Sequence, residues 1–373
     1  MSDSACRRIG RAIVVGLLLA SPASAQPGRA DARAPIIDMH LHARTAAAYG
    51  ATGLPLCAPM RTIPVWDQRY PMSDGPNATP TCAKPLISPA TDTEVREGTI
   101  ARMRRYNMYG VLGGAPEIVA EWQRAAPGRF MAGLDVRFDA LTAEAFVSTP
   151  AGAPPRPLPP DSVRALHARG ALSVLAELSN QYAGIAPDDA RLDPYFALAE
   201  QLDMPVGIHV DGGGPGAAYN GTPGFRARLQ NPFTLEEVLI KHPKLRLYIM
   251  HAAYPMLEPL EAMLLAHPQV YVELGYIASV EPRAAYYRFL RRLVEDGFGE
   301  RIMFGSDQMI WPGMIDEAVR ALEQARFLTK AQRRAIFYHN AARFLRLAPE
   351  EIARHHGKAA AAPLPPNRPR APT

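Results

Sequence analysis

The sequence predicts a (β/α)8 TIM barrel with a long insertion after its first strand. Eight short apolar runs alternate with longer amphipathic runs over about 310 residues, and eight strand–helix pairs make up this barrel. The apolar runs are rich in Val, Ile, Leu and Met and lack strict polar alternation, which is typical of parallel strands buried on both faces. No glycine-rich nucleotide-binding turn follows the first run, which argues against a doubly wound open sheet.

The order of these elements is regular from residue 35 onwards. The predicted strands are 35–40, 109–113, 130–136, 171–178, 205–210, 245–251, 270–274 and 301–305. The predicted helices are 94–106, 117–126, 161–169, 190–202, 235–241, 257–266, 283–295 and 314–327. We therefore expect the barrel over residues 34–347, with its active site at the carboxyl ends of the strands.

The first 25 residues have the pattern of a signal peptide. Arg7, Arg8 and Arg11 precede the apolar run 12–20, and Ala-Ser-Ala at 23–25 supplies a cleavage site. The run is too short for a stable membrane anchor, and no later segment approaches the ~20 apolar residues of a membrane-spanning helix. We therefore expect residues 1–25 to be removed from an exported, periplasmic protein.

The charge distribution argues against a nucleic-acid-binding function. The formal net charge is +5, but residues 1–25 contribute +2 and residues 355–373 contribute +3, so the body of the chain is neutral. With 48% hydrophobic residues the body can form a large core, and only the Pro- and Ala-rich end, 355–373, has a disordered composition. The expected partner is a small-molecule substrate, and the composition is compatible with either a monomer or a homo-oligomer.

A Pro-rich insertion at 44–93 separates the first strand from its helix. Loops of this length in compact domains are more often functional than idle. The insertion contains Cys57 and Cys82, the two cysteines that remain after signal cleavage, and an oxidising compartment favours a disulfide between them. Two unpaired thiols are the alternative. We expect the insertion to act as a lid that holds three side chains over the barrel mouth: Trp66, Arg69 and Tyr70.

Four histidines and one aspartate fall at predicted strand ends. His40 and His42 share one side of the first strand because side chains alternate with a period of two. His209 and His251 close the fifth and sixth strands, and Asp307 follows the eighth. Burying these groups together in a barrel mouth is costly unless a divalent cation pairs with them, and imidazole and carboxylate are the usual nitrogen and oxygen ligands of Zn²⁺. We expect Zn²⁺, as one or two ions.

The role of Glu177 decides whether the site holds one ion or two. It lies in the apolar fourth strand, where a carboxylate either bridges two metals or points outside the barrel towards an arginine, and the sequence supports both equally. Tyr182 and Tyr254 follow the fourth and sixth strands, and together with Arg69 of the insertion they are the candidate substrate-binding residues.

The combined order of these residues resembles the metal-dependent amidohydrolase superfamily. The similarity is greatest to the amidohydrolase-related branch that also contains non-oxidative aromatic-acid decarboxylases, and it covers roughly residues 35–347. The segment FYHNAARFLRL at 337–347 also resembles the C-terminal helix of that branch.

The resemblance implies a role for each strand-end residue. His40, His42 and His209 correspond to metal ligands, and Asp307 to the aspartate that binds the metal and takes a proton from the attacking water. His251 corresponds to the histidine that binds a second metal or orients and protonates the substrate. Glu177 stands where two-metal members often have a carboxylated lysine as the bridging ligand.

Three functions compete on this basis. The leading one is metal-dependent hydrolysis of an amide, ester or lactone bond in a small molecule. The second is metal-dependent non-oxidative decarboxylation, although the residues after His251, Ala252-Ala253-Tyr254-Pro255, are not the Gly-rich turn that we expect of such enzymes. The third is a non-catalytic metal or ligand binder, which Asp307 disfavours because a closed structural site needs no open water position.

Overall fold

The computed structural model describes residues 33–72, 79–142, 144–147 and 154–357. It contains the eight strands that the sequence predicts, with some shorter bounds. They are β1 (Ile36–Ala43), β2 (Met108–Gly114), β3 (Phe130–Ala132), β4 (Leu175–Leu178), β5 (Val206–His209), β6 (Leu247–Met250), β7 (Tyr271–Glu273) and β8 (Ile302–Met303). The predicted signal peptide, 1–25, lies outside the described residues, as do residues 358–373 of the predicted tail.

Successive strands are parallel neighbours in the order of a TIM barrel. β1 pairs with β2 and β2 with β3, while β4 to β8 pair in sequence. The segment Val136–Phe138 continues β3 and joins β4 through the pairing of Val136 with Leu178. Between β8 and β1, the Met39 N–H donates to the Phe304 carbonyl over 2.9 Å. The predicted fold class is therefore confirmed.

Helices follow the strands, and all eight predicted helices are present. They are α1 (Asp92–Arg105), α2 (Pro116–Ala125), α3 (Pro160–Ala168), α4 (Asp193–Gln201), α5 (Glu236–Lys241), α6 (Leu257–Ala266), α7 (Arg283–Glu295) and α8 (Gly313–Glu323). α1 begins with a capping box between Thr91 and Glu94, and α2 and α3 each have proline in the first turn, where no N–H is needed.

Other short elements decorate the strand ends. A short α-helix, Ile277–Val280, follows β7, and 3₁₀ turns occupy Asn180–Ala183, Ala217–Tyr219, Ala227–Gln230, Pro232–Leu235, His251–Ala253 and Gly299–Arg301. The antiparallel strands Ala145–Val147 and Arg156–Pro157 extend the sheet beside Val136–Phe138.

The C-terminal helices close the amino-terminal end of the barrel. Lys330–Arg334, the π-helical turn Ala335–His339 and Asn340–Phe344 run consecutively, and Pro349–His355 follows. Tyr338 and Phe344 pack with apolar side chains of the strands, including Met39 and Tyr248. The predicted disordered tail begins too early at residue 355, because His355 is the buried last residue of a helix.

The insertion lies against the carboxyl-terminal end of the barrel. It forms the antiparallel strands Pro55–Leu56 and Leu86–Ile87, and the predicted disulfide between Cys57 and Cys82 is confirmed. Cys57 packs against Trp311, whose indole N–H donates to the Leu54 carbonyl over 2.7 Å. None of the helices in the described ranges is both long and apolar enough to cross a membrane.

Candidate active site

Six side chains meet at the carboxyl ends of the strands, and each of them was predicted from the sequence. Their exposure is at most 5%, so the cluster is almost dry. His40 and His42 come from β1 and Glu177 from β4, and the other three come from β5 or from the turns after β6 and β8. The members of this cluster are His40, His42, Glu177, His209, His251 and Asp307.

The two histidines of β1 present lone pairs to one another. Their Nε2 atoms are 2.9 Å apart, while His40 Nδ1 lies 3.0 Å from Glu273 Oε1 and His42 Nδ1 lies 3.0 Å from Asp135 Oδ2. Because a carboxylate only accepts hydrogen bonds, each Nδ1 carries the hydrogen and each Nε2 is left unprotonated in the neutral ring. Two converging lone pairs repel unless a cation lies between them, so this pair suits a metal ion.

Glu177 divides its two carboxylate oxygens between two groups of imidazoles. Oε2 lies 3.9 Å from His40 Nε2 and 3.8 Å from His42 Nε2. Oε1 lies 2.6 Å from His209 Nδ1 and 3.8 Å from His251 Nε2. The side chain therefore points into the barrel, and its position between the two groups is the one that a bridging ligand occupies.

His209 and His251 form the second group. His251 Nδ1 lies 3.0 Å from the Gly275 carbonyl, which only accepts, so its Nε2 faces the cluster and lies 3.1 Å from His209 Nδ1. On its other edge, His209 Nε2 is 3.0 Å from Asp211 Oδ1. Together with Glu177 Oε1 these nitrogens offer three ligand atoms to one ion.

Asp307 has a carboxylate oxygen without a hydrogen-bond partner among the described residues. This atom, Oδ1, lies 3.0 Å from His42 Nε2 and 3.7 Å from His40 Nε2. The backbone positions it: φ of Asp307 is 48°, and its N–H donates to the His40 carbonyl. A buried carboxylate oxygen with no donor is costly, and a cationic partner would stabilise it.

The electrostatics of the cluster also favour a cation. Burial and the Arg44 charge oppose protonation of His42, yet the Asp135 and Asp307 carboxylates raise the pKa of His42 to about 9. Burial alone would raise the pKa of Asp307, but the imidazoles of His40 and His42 hold it below its usual range. In both cases the carboxylates favour positive charge between them, which a proton supplies when no metal does.

The candidate substrate-binding residues lie at different distances from the cluster. The Tyr182 ring is 4.6 Å from the His209 ring, directly beside the site. Tyr254 lines a cavity of about 780 Å³ that also includes Asp211. The structure does not bring Arg69 to the cluster, because its side chain is 81% exposed and pairs with Asp67 two residues away.

Two buried carboxylates that support the cluster were not predicted from the sequence. Asp135 and Glu273 each contact one β1 histidine, and glycine is required beside them because a Cβ at Gly113 would overlap Asp135. Both acids sit at the ends of apolar strands, which is the signal that could have revealed them. Asp38 is also buried, and it accepts from the backbone N–H groups of His40 and Ser306.

A family model described as Amidohydrolase matches residues 37–347. The chain belongs to the amidohydrolase family. The resemblance seen in the strand-end residues is therefore confirmed. A comparison with curated proteins finds no match to this sequence.

Solved structures of low sequence identity share the barrel of this amidohydrolase. A probable 2-pyrone-4,6-dicarboxylic acid hydrolase from Acinetobacter baumannii is 14% identical, with 84% of this chain and 99% of that chain covered and a TM-score of 0.51. An uncharacterised TIM-barrel protein from Bordetella bronchiseptica is 15% identical, with 87% of this chain and 100% of that chain covered and a TM-score of 0.51. IDCase from Metarhizium anisopliae is 17% identical, with 84% of this chain and 97% of that chain covered and a TM-score of 0.50.

Proposed function

We propose that this amidohydrolase cleaves an amide, ester or lactone bond of a small molecule at a site that holds two Zn²⁺ ions. The observation that carries the proposal is the position of Glu177, whose carboxylate turns one oxygen towards each group of imidazoles. A carboxylate in this position can ligate two cations at once. We also propose that the protein is exported, because the first 25 residues have the pattern of a signal peptide.

The donor set fits two ions. His40, His42, Asp307 and one oxygen of Glu177 would hold the first ion. The other Glu177 oxygen, with His209 and His251, would hold the second. When bound, such ions lower the pKa of water and polarise a carbonyl group.

Asp307 is the residue that we propose as the general base. Its lowered pKa keeps the carboxylate unprotonated at neutral pH, so the oxygen that does not bind the ion can accept a proton. As the water oxygen forms a bond to the carbonyl carbon, its proton passes to Asp307 and then to the leaving oxygen or nitrogen when the scissile bond breaks. His251, whose ligand atom lies within 4.8 Å of those of His40 and Asp307, would orient the substrate as well as bind the second ion.

The space beside the cluster suits a small substrate. The cavity of about 780 Å³ begins at Asp211, next to His209, and has aromatic walls formed by Tyr219, Phe225 and Tyr254. Volumes of this size are typical of sites for small molecules. Tyr182 borders the cluster from the β4 side and completes the apolar surface on which a substrate would lie.

Metal analysis and kinetics test the proposal together. We expect about two divalent ions per chain, most of which should be lost in the double variant His40→Ala/His42→Ala. Asp307→Asn should retain much of the metal and lose turnover by about 1,000-fold or more on ester, lactone or amide substrates, because an amide cannot accept the proton. Asp161→Asn, at the exposed start of α3, is the matched control and should behave as wild type.

Three outcomes would contradict the proposal. Equal metal content in wild type and in the histidine double variant would show that the cluster is not the metal site. Near-normal turnover of Asp307→Asn would show that a residue other than Asp307 is the general base. Release of carbon dioxide from aromatic acids, without cleavage of any ester, lactone or amide, would instead identify a decarboxylase.

A further inference from the structure

Tyr276 is held beside the cluster by an unusual backbone conformation. Its φ is 60° and its ψ is −61°, outside the regions that residues with a side chain normally adopt. The carbonyl of Tyr276 accepts from the N–H groups of Ser279 and Val280, over 3.0 and 2.7 Å, and from the Ser279 hydroxyl over 2.9 Å. The turn after β7 is therefore fixed by several bonds, and conformations of this kind cluster at functional sites.

The residue before Tyr276 shows how close this turn comes to the cluster. A Cβ at Gly275 would lie 3.0 Å from His40 Nδ1 and 3.2 Å from Asp307 Cβ. The Gly275 carbonyl also accepts the hydrogen bond of His251 Nδ1. The turn therefore contacts three members of the cluster through its backbone, and Tyr276 is the first residue of the turn that can present a functional side chain there.

The phenol ring of Tyr276 lies beside the cluster. The ring centroid lies 6.3 Å from that of His251, with the two planes nearly perpendicular. A Cβ at Gly214, in the loop after β5, would lie 3.9 Å from the Tyr276 hydroxyl, so the hydroxyl reaches the wall of the cavity described above. The ring also packs against the buried apolar group that includes Val280 and Trp311.

The Tyr276 hydroxyl has no hydrogen-bond partner among the described residues, although it lies in a polar environment. Burial, followed by the charges of Asp211, Glu281 and Asp307, raises the pKa of Tyr276. A phenol in this setting keeps its proton and can donate it in a hydrogen bond. The Tyr276 hydroxyl differs in this respect from that of Tyr49, which accepts a hydrogen bond from the Arg44 guanidinium.

We infer that Tyr276 is a catalytic residue whose hydroxyl donates a hydrogen bond to the substrate carbonyl oxygen as that oxygen becomes negatively charged. The inference rests on the proposed hydrolytic function. When the water oxygen bonds to the carbonyl carbon, the π electrons move to the carbonyl oxygen, and the Tyr276 O–H stabilises this charge without transferring its proton. Such donors act mainly on the transition state, because the charge they face develops only there.

Kinetics of Tyr276→Phe test the inference in the metal-loaded protein. We expect kcat to fall about 100-fold with KM changed less than about threefold, as for loss of one donor to an oxyanion. Metal content should be unchanged, because the phenol is not in the ligand set. Tyr286→Phe is the matched control: its hydroxyl is buried, lacks a partner among the described residues and lies on α7 away from the cluster, so kcat should be unaffected.

A binding measurement separates failure of this inference from failure of the proposed function. Methylphosphonate is a stable tetrahedral anion, and acetamide is a neutral planar carbonyl compound; calorimetry gives the affinity of the metal-loaded protein for each. Tyr276→Phe should bind methylphosphonate about 10-fold more weakly and acetamide with unchanged affinity. If the wild type cleaves no ester, lactone or amide but shows this selective loss, the proposed function fails and the donor role of Tyr276 stands. Equal methylphosphonate affinity in wild type and Tyr276→Phe, or no methylphosphonate binding by either, would overturn the inference.

Discussion

The β1 histidines owe their orientation to two carboxylates that the sequence did not single out. Glu273 accepts from His40 Nδ1 through Oε1, and the same oxygen accepts from the backbone N–H of His251 over 2.9 Å. Asp135 lies within 3.1 Å of His42 Nδ1 through both oxygens. Each carboxylate therefore fixes which imidazole nitrogen faces the cluster, which is the usual function of residues behind metal ligands.

Replacing Glu273 should weaken metal binding without removing a ligand. In Glu273→Gln the amide is neutral and its NH₂ group can turn towards His40, so the tautomer that exposes Nε2 is no longer enforced. We expect metal affinity, measured by competition with a chromogenic chelator, to fall 10- to 100-fold. Glu295→Gln, at the exposed end of α7, is the control. Unchanged affinity in Glu273→Gln would show that His40 is oriented by other contacts.

At the residue scale, the positions at strand ends were predictable and their partners were not. His40, His42 and Asp307 stand where the period of a strand and the order of a barrel place them at the mouth, so their proximity follows from sequence pattern. The contact between Glu273 and His40 joins residues 233 positions apart, and it depends on the closing of the barrel between β8 and β1. Sequence periodicity contains no information about such a pairing.

At the scale of elements, strand and helix order was predictable because each apolar run is long enough to identify. The interruption of β3 was not, since the run FMAGLDV at 130–136 has the pattern of one strand while the chain leaves β2 and joins β4. The insertion shows the same limit. Its length and cysteines predicted a fixed loop, whereas the contact of Trp66 with Tyr219, at 4.9 Å between ring centroids, depends on the β5 loop.

The disulfide in the insertion should affect substrate binding more than barrel stability. The bond joins residues 25 apart, which corresponds to about 3 kcal/mol of loop-closure entropy in the chain-entropy model. In Cys57→Ser the insertion is no longer cross-linked and gains conformational freedom. Its contacts with the cavity therefore loosen, and KM should rise several-fold. The strands do not depend on this bond, and the melting temperature should shift by only a few degrees.

The two single cysteine variants and the double variant provide the control for this prediction, because their effects on KM should not add. Cys82→Ser should raise KM as much as Cys57→Ser, and the double variant should add nothing further, because all three lack the same bond. Thiol titration of unreduced, denatured wild type should detect no free thiol from these two cysteines. A melting temperature that collapses while KM stays unchanged would assign the bond to barrel stability instead.

At the scale of the whole molecule, the two ends of the barrel have different tasks. The carboxyl-terminal end holds the ionisable cluster, and the amino-terminal end is closed by helical segments whose apolar side chains complete the inner core. His355 is part of this closure: its ring stacks on Tyr109 at 3.7 Å between centroids, and Nδ1 lies 3.1 Å from the Tyr338 hydroxyl. A titratable ring in a structural position makes the closure sensitive to pH.

We expect the barrel to lose stability in mildly acidic solution through His355. Burial, together with the neighbouring cations Arg354 and His356, lowers the pKa of His355 to about 4 from its ordinary 6.5. The unfolded chain therefore binds a proton at this position as the pH falls below 6.5, while the folded protein does not until about pH 4. Between these values the free energy of unfolding should fall, by about 1–2 kcal/mol after discounting for solvent screening.

Denaturant unfolding at several pH values would measure this slope, and His355→Phe, which keeps a stacking ring but cannot titrate, should show a shallower one. Tyr338→Phe removes the hydrogen bond yet leaves His355 titratable, so its slope should match the wild type. Equal slopes in wild type and His355→Phe would show that the acid sensitivity comes from other titratable groups, of which the histidines and carboxylates at the other end of the barrel are the candidates.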